Sequence, residues 1–285
     1  MSQIEEYIFG TSSTEQKRLL RQGELFEKEA CWLLDRLELK AGDRAIDLGC
    51  GPLGIMHLLA ERVGLSGEIV GVERETRLLN MAREIAAKRD LKNVQVLQGD
   101  VTTIGLPRAS FDLVHERLVL MVNPHIESIL AEMIALTKPG GVVAVQDFDI
   151  VSLVCEPSHE AWLLLLETYQ NVYQALGLDG YLGRRLPGLL RSAGLVDVQF
   201  KVHTLISNAG EFGQMLFLEI IEGLRDRIIA DGLYTSNDLS ALIEALREHL
   251  NTPGTFVVQP LLFQAWGRKP IGRCTSALRS DNSKV

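Results

Sequence analysis

The segment Asp47-Leu48-Gly49-Cys50-Gly51-Pro52-Leu53-Gly54 constrains this chain more than any other. Arg44–Leu48 before it reads as a short apolar strand, and Ile55–Val63 after it reads as a helix. Glycine accepts the left-handed backbone of a tight strand-to-helix turn and lets a ligand come close to the main chain. A G-x-G-x-x-G run in that setting marks a nucleotide-type βα unit, with the ligand outside the carboxyl ends of the strands. Such a unit wants an acid about twenty residues further on to meet a ribose. Glu73 stands at that distance.

The alternation continues downstream. Strands are predicted at Glu68–Val72, Val94–Leu97, Phe111–His115 and Val142–Gln146, the last entered through the Pro139-Gly140-Gly141 turn. Helices are predicted at Thr76–Arg89 and Ile126–Thr137. Strands separated by helices imply a mainly parallel sheet covered on both faces.

The first forty residues read as a helical arm. Ser12, Ser13 or Thr14 can cap it, with Glu15 in capping-box spacing after Ser12. Leu19, Leu20, Phe26, Ala30, Leu33, Leu34 and Leu37 then recur near the helical period. In the second half, helices are predicted at His159–Leu176, Arg184–Ala193, Phe212–Ala230 and Asn237–Leu250, with strands at Val196–His203 and within Thr255–Trp266. The expected organisation is an arm over 1–40 and one α/β domain over 41–268. Helical insertions fall at about 155–180 and 208–250, and a polar tail runs over 269–285.

Composition narrows the function classes. Formal charge is −8, and Arg184-Arg185 is only a short basic pair. That argues against long-range attraction to nucleic acid or an anionic membrane. No run approaches the ~18 apolar residues of a membrane span, and the N-terminus lacks a signal-peptide pattern. Cys31, Cys50, Cys155 and Cys274 are scattered without C-x-x-C spacing, so neither a disulfide framework nor a metal site is expected. A cytoplasmic location is the corresponding expectation.

By itself the glycine loop fits NAD as well as a cofactor without phosphates. Three features count against NAD. Asp47 stands two residues before Gly49, where a carboxylate would repel a pyrophosphate on the helix N-terminus. Gly99-Asp100 puts a second acid after the third strand, suited to an adenine amino group. No separate catalytic domain follows.

Five motifs in order then resemble the class I S-adenosylmethionine (SAM)-dependent methyltransferases. They are Ala45-Ile46-Asp47-Leu48-Gly49-Cys50-Gly51-Pro52, Val70-Gly71-Val72-Glu73, Gln98-Gly99-Asp100-Val101, Phe111-Asp112-Leu113-Val114 and Lys138-Pro139-Gly140-Gly141. The chain departs from the common pattern by carrying Leu53 directly after Pro52, with its glycine at 54. The resemblance implies a Rossmann-like seven-stranded, mostly parallel sheet with an antiparallel last strand. It assigns Gly49, Cys50 and Gly51 to the methionine end of SAM, Glu73 to the ribose, and Asp100 to the adenine with Val101 packing nearby. Glu15-x-x-Arg18-Leu19-x-x-Gln22 resembles a helix that folds over the cofactor in small-molecule members, so Gln22 joins the cofactor candidates. Tyr7 and Phe9 become candidate lid aromatics over the substrate.

Methyl transfer is an in-line displacement from a positively charged sulfur, so positioning supplies much of the acceleration. A general base helps chiefly when the acceptor is a hydroxyl. Candidates beyond the strand ends are His115 or Asp147 as base, Arg117 for the SAM carboxylate or merely a partner of Glu116, and His159 at the start of the insertion. By strand alternation Phe148 faces away from Asp147 and Asp149, which makes it a substrate-side candidate. Trp162, Leu166, Tyr169 and Tyr173 recur at about four-residue spacing, consistent with packing on the sheet or with an apolar substrate pocket. The expected acceptor is a hydrophobic secondary metabolite: an isoprenoid or prenylated alkaloid at carbon, or a phenol or polyketide at oxygen. Two other readings stay open, a non-catalytic SAM-binding member of the fold and an NAD-dependent oxidoreductase. The N-terminal helix is also a candidate contact for a homo-oligomer.

Overall fold

A computed structural model describes residues 7–10 and 12–271. The predicted end of the chain from residue 272, Cys274 included, lies outside the described residues. The arm is two helices, α1 (Ser13–Leu25) and α2 (Glu27–Leu34), because the backbone leaves the helical region at Phe26 (φ −105°, ψ 19°). Ser12 caps α1 by accepting from the Glu15 amide. The α/β core follows as β1 (Arg44–Leu48), α3 (Met56–Val63), β2 (Glu68–Glu73), α4 (Thr76–Lys88), β3 (Val94–Gln98), β4 (Phe111–Arg117), α5 (Ile126–Leu136) and β5 (Thr137–Asp149). Next come β6 (Val154–Glu156), α6 (Glu160–Ala175), α7 (Leu182–Ser192), β7 (Val196–His203) and β8 (Ile206–Asn208). The chain closes with α8 (Phe212–Gly223), α9 (Arg225–Ala230), α10 (Ser236–Leu250), β9 (Phe256–Val258) and β10 (Leu261–Arg268).

The main sheet has seven strands in the order β3-β2-β1-β4-β5-β10-β7. β1 to β5 pair in parallel, and β10 runs antiparallel to both of its neighbours. Successive strand residues face opposite sides, so a parallel sheet covered twice carries two cores. Ile46, Leu48, Val70, Val72, Val143 and Val145 pack into one. Ala45, Ile69, Leu113, Val142 and Ala144 pack into the other, beneath α3 and α4. α7 lies flush on the sheet because Gly183 lets it: a Cβ there would meet the Phe148–Asp149 backbone at 2.8 Å.

Several boundaries differ from expectation. β5 runs from Thr137 to Asp149, past the predicted Val142–Gln146, since its far end stays buried and paired with β10 beyond the last β4 partner. The predicted last strand divides into β9 and β10 around Gln259-Pro260. The insertions are not purely helical. β6, β9 and β8 form a second, antiparallel sheet with Val154 and Ile206 both opposite Val258. That sheet ties residues near 155 to residues near 207 and 257, and it holds α6, α8 and α10 together as a roof over the strand ends. α1 docks on α8 of its own chain, where Arg21 stacks on Phe212 at 3.7 Å. No helix among the described residues is long and apolar enough to cross a membrane.

Candidate active site

Between the carboxyl ends of the strands and the roof lies a cleft of about 1330 Å³. Its floor is the glycine loop, in which Gly49, Gly51 and Gly54 take φ of 64°, 55° and 55°. Each glycine is required for a different reason. A Cβ on Gly49 would strike Val119 at 2.5 Å, and one on Gly54 would strike the Asp47 carboxylate at 2.3 Å. Gly51 has open space in front of it and faces the cleft. Leu53 is buried with Ile55 and Met56 in the core beneath α3. The departure from the common motif is thus a core residue, and the sharp turn passes to Gly54.

The acids beyond the strands close around this loop. Glu73, at the end of β2, accepts from the Gly51 and Glu75 amides at 2.9 and 2.8 Å. Burial raises its pKa above the ordinary carboxyl value, and the amides of Glu75, Gly51 and Arg74 offset only part of that. Asp100 accepts from the Thr102 amide and hydroxyl at 2.8 and 2.6 Å. Partial burial pushes its carboxyl up, but the two Thr102 bonds outweigh it and the net shift is downward. Cys50, Val101 and Asp47 also line the cleft.

Arg117 ends β4 half-buried in the cleft wall, close against Gly23 of α1. It has no hydrogen bond or ion pair among the described residues. Burial pulls its pKa down, offset in part by the charges of Asp47 and Glu27. The alternative role, pairing with Glu116, does not form, because consecutive strand residues diverge and Glu116 is already occupied. Its oxygens accept from the amides of Val119, Leu120 and Gln146.

α1 presents a polar stripe inward: Glu15, Arg18 and Gln22 are its buried residues, while Leu19 and Leu20 are only half-buried. The stripe is self-satisfied. Arg18 donates to both Glu15 oxygens at 2.6 and 2.7 Å and to Gln22 Oε1, and the Tyr7 hydroxyl donates to Glu15 at 3.0 Å. Phe9 lies beneath the Arg18 guanidinium, 5.4 Å from its ring centre. With Oε1 occupied, Gln22, which lines the cleft, keeps its NH₂ group as a pair of donors without a hydrogen bond among the described residues.

On the far side the walls turn apolar, with Phe148, Leu153, Tyr169, Leu178, Phe217 and Ile220 among them. Tyr169 donates to Tyr173 at 3.1 Å, and burial pushes its pKa up to about 12. Tyr7 is raised too, by burial and the neighbouring Glu15.

Four predicted site residues are placed away from the cleft. His115 is fully buried within the sheet, between Asp47 at 2.7 Å and Gln146 at 2.6 Å. Asp147 is buried beside Glu116 and accepts from the Met121 amide at 3.1 Å. His159 caps α6 by accepting from the Ala161 amide and stacks on His249 at 4.6 Å. Trp162 packs behind Phe217, 4.8 Å between ring centres, so it supports the pocket wall without forming it. Strand-end position was the signal for His115 and Asp147, and in both the side chain turns back into the protein. The Leu118–Val122 segment, which lines the cleft, was missed; its one anomaly, Leu118 at φ 61°, leaves no trace in the sequence. Among the described residues no cluster of three or more His, Cys, Asp or Glu side chains could hold a metal ion.

A family model described as a methyltransferase domain matches residues 39–194. A demethylmenaquinone methyltransferase of Anoxybacillus flavithermus is 27% identical over 194 residues, covering 63% of this chain and 82% of the relative. Among solved structures, a phosphoethanolamine N-methyltransferase of Haemonchus contortus in complex with S-adenosyl-L-methionine aligns at TM-score 0.52 and 19% identity. That alignment covers 85% of this chain and 52% of the other, so the chain spans about half its length. The YcgJ protein of Bacillus subtilis aligns at TM-score 0.55 and 17% identity over 85% of this chain and 99% of its own.

Proposed function

From a chain that belongs to the methyltransferase-domain family, as a class I SAM-dependent methyltransferase, we propose methyl transfer to a small hydrophobic metabolite held beneath α1. One observation carries this reading: the cleft has two chemically distinct halves. At about 1330 Å³ it exceeds the ~300–1,000 Å³ of ordinary single-ligand sites. Its polar half is built by the glycine loop, Glu73, Asp100 and Arg117; its other half is largely apolar and aromatic.

The residues of the polar half fit SAM. Gly51 leaves free the space that a Cβ would occupy. Arg117 and the Gln22 amide are donors without acceptors on the same cleft wall, matched to the cofactor's carboxylate. Glu73 offers its carboxylate to the ribose hydroxyls and Asp100 accepts from the adenine amino group, with Val101 against the ring. When bound, SAM supplies a methyl group on a cationic sulfur, already activated for displacement.

The rest is positioning. α1 and the roof exclude water, and Tyr7, Phe9, Phe148 and Tyr169 orient an apolar acceptor. Burial keeps both cleft tyrosines as neutral phenols, so neither serves as a strong base near neutral pH. That favours acceptors needing little deprotonation, such as an electron-rich carbon of an isoprenoid or prenylated alkaloid. A phenol or polyketide hydroxyl that ionises readily fits the same site. The relative named for demethylmenaquinone supports an apolar acceptor.

Calorimetry tests the cofactor: SAM or S-adenosylhomocysteine binds at micromolar concentration, and Glu73→Ala and Asp100→Ala each weaken it. Incubation with deuterium-methyl SAM and a native extract, read by mass spectrometry, tests the acceptor. Label in an apolar small molecule supports the reading. Label confined to protein or nucleic acid refutes it, and tight SAM binding without transfer points to a non-catalytic member.

A further inference from the structure

Asp47 lies on the cleft floor, yet the groups that set its chemistry reach across half the sheet. Gln264 Nε2 donates to the backbone carbonyl of Glu29 in α2 at 2.8 Å and to Gln146 Oε1 at 2.7 Å. Gln146 Nε2 meets His115 Nε2 at 2.6 Å, and His115 Nδ1 meets Asp47 Oδ1 at 2.7 Å. The line crosses β10, β5, β4 and β1, four successive neighbours. Asp47 is 2% exposed and the other three side chains are wholly buried.

A buried amide and a buried imidazole could each be oriented two ways. Here the main chain decides. The Glu29 carbonyl only accepts, so the Gln264 atom facing it is the NH₂ nitrogen. The second N–H of that group requires oxygen from Gln146, which turns the Gln146 NH₂ towards His115. His115 Nε2 must then offer a lone pair, and its proton resides on Nδ1, aimed at Asp47. An imidazolium would set N–H against N–H. Reversing Gln264 would set its oxygen against two others; as it stands, Gln264 Oε1 faces His203 without a hydrogen bond of good geometry.

We propose that Gln264 and Gln146 fix His115 as the neutral Nδ1–H tautomer and thereby keep Asp47 an unneutralised carboxylate beneath the cationic end of the bound cofactor. The inference rests on the cleft being the SAM site. His115, Gln146 and Gln264 touch no ligand; they are positioning residues acting through Asp47. The three donors point the same way, so each bond polarises the next towards the carboxylate. Asp47 is secured at its other oxygen by the Ile55 amide at 3.3 Å. Its negative charge is thus held in place before the ammonium and sulfonium arrive, with little left to reorganise on binding.

Nitrogen-15 histidine NMR of the ligand-free protein tests the tautomer, and calorimetry with SAM tests its consequence. The wild type should show His115 neutral and protonated at Nδ1 at pH 7. In Gln146→Glu a carboxylate faces Nε2, so His115 should appear as an imidazolium and SAM should bind about tenfold more weakly. Gln264→Met removes the anchor without adding charge. It should let Gln146 turn over, shift His115 towards Nε2 protonation and weaken SAM in proportion, and it stands in if Gln146→Glu fails to fold. A wild-type His115 protonated at Nε2 overturns the proposal, as does altered protonation in either variant with SAM affinity unchanged. A wild type with the expected tautomer and no SAM binding would instead refute the cofactor reading.

Discussion

Gly51 and Gly54 share a φ of 55°, which makes them a matched pair for separating backbone strain from crowding. Placing an L-residue in that region costs about 1–2 kcal/mol at either position. Gly51→Ala should lose about that much and no more, because its Cβ meets nothing within 4 Å. At Gly54 the new carbon would sit 2.3 Å from Asp47 Oδ2 and 2.9 Å from the Cys50 carbonyl. The carboxylate has to withdraw from the Ile55 amide that it holds at 3.3 Å. A hydrogen bond to a charged group is worth about 1.5–3 kcal/mol, so Gly54→Ala should lose about 2.5–5 kcal/mol in all. Urea unfolding of the two variants in parallel reads the difference, about 2 kcal/mol, and thermal melting should separate them by roughly 4 °C. SAM titration should add a contrast, because the Gly51 Cβ enters the cleft and Gly51→Ala should weaken binding despite its milder stability loss. Equal stability of the two variants, within about 0.5 kcal/mol, would refute the role given to Gly54.

Arg117→Met should weaken SAM by about tenfold or more, as loss of a charge-assisted contact does. The ligand-free protein should melt no lower than wild type, because a cation without an ion pair has been removed from a buried wall; a fall of several degrees would reveal a structural role. Asp147 is held well above the ordinary carboxyl range, first by burial and then by the adjacent Glu116 charge. The unfolded chain surrenders that proton first, so wild-type stability falls as pH rises from about 4 through the raised value. Asp147→Asn should flatten this slope by Asp147's share, matching wild type in acid and exceeding it in alkali, as urea unfolding at several pH values would show. For Glu73 the raised pKa works on the ligand: SAM affinity should decline as pH drops through it and the carboxylate protonates. In Glu73→Gln the affinity should be low throughout and lack that dependence, which calorimetry between pH 4.5 and 8 would test.

The polar half of the cleft was legible because strand-end chemistry is local. Gly51, Glu73 and Asp100 each sit at, or within three residues after, the end of a strand whose apolar run announces it, so their convergence follows from parallel packing. Arg117 was legible as a candidate, but its freedom from Glu116 depends on two backbone amides brought by the following turn and a third from β5. β6, β8 and β9 were not legible. Three residues carry no period, and these strands form only because distant segments meet. The inward face of α1 was legible only through the resemblance: Glu15, Arg18 and Gln22 become a buried stripe by satisfying one another, which a count of apolar positions does not reveal. His115 looked like a base because a histidine ends a strand; its role emerged only with Gln146 and Gln264, the latter 149 positions away by numbering.

The place of β10 has a consequence for how the chain is made. It is the last of the described strands to leave a ribosome, yet it lies inside the sheet, between β5 and β7. Until residue 268 emerges, β5 stays an open edge and β7 has no neighbour to join. A nascent or truncated chain can hold its first five strands together and still offer that edge to another molecule. Completion of the sheet, closure of the roof and seating of Gln264 against Gln146 therefore come as one late event of high contact order.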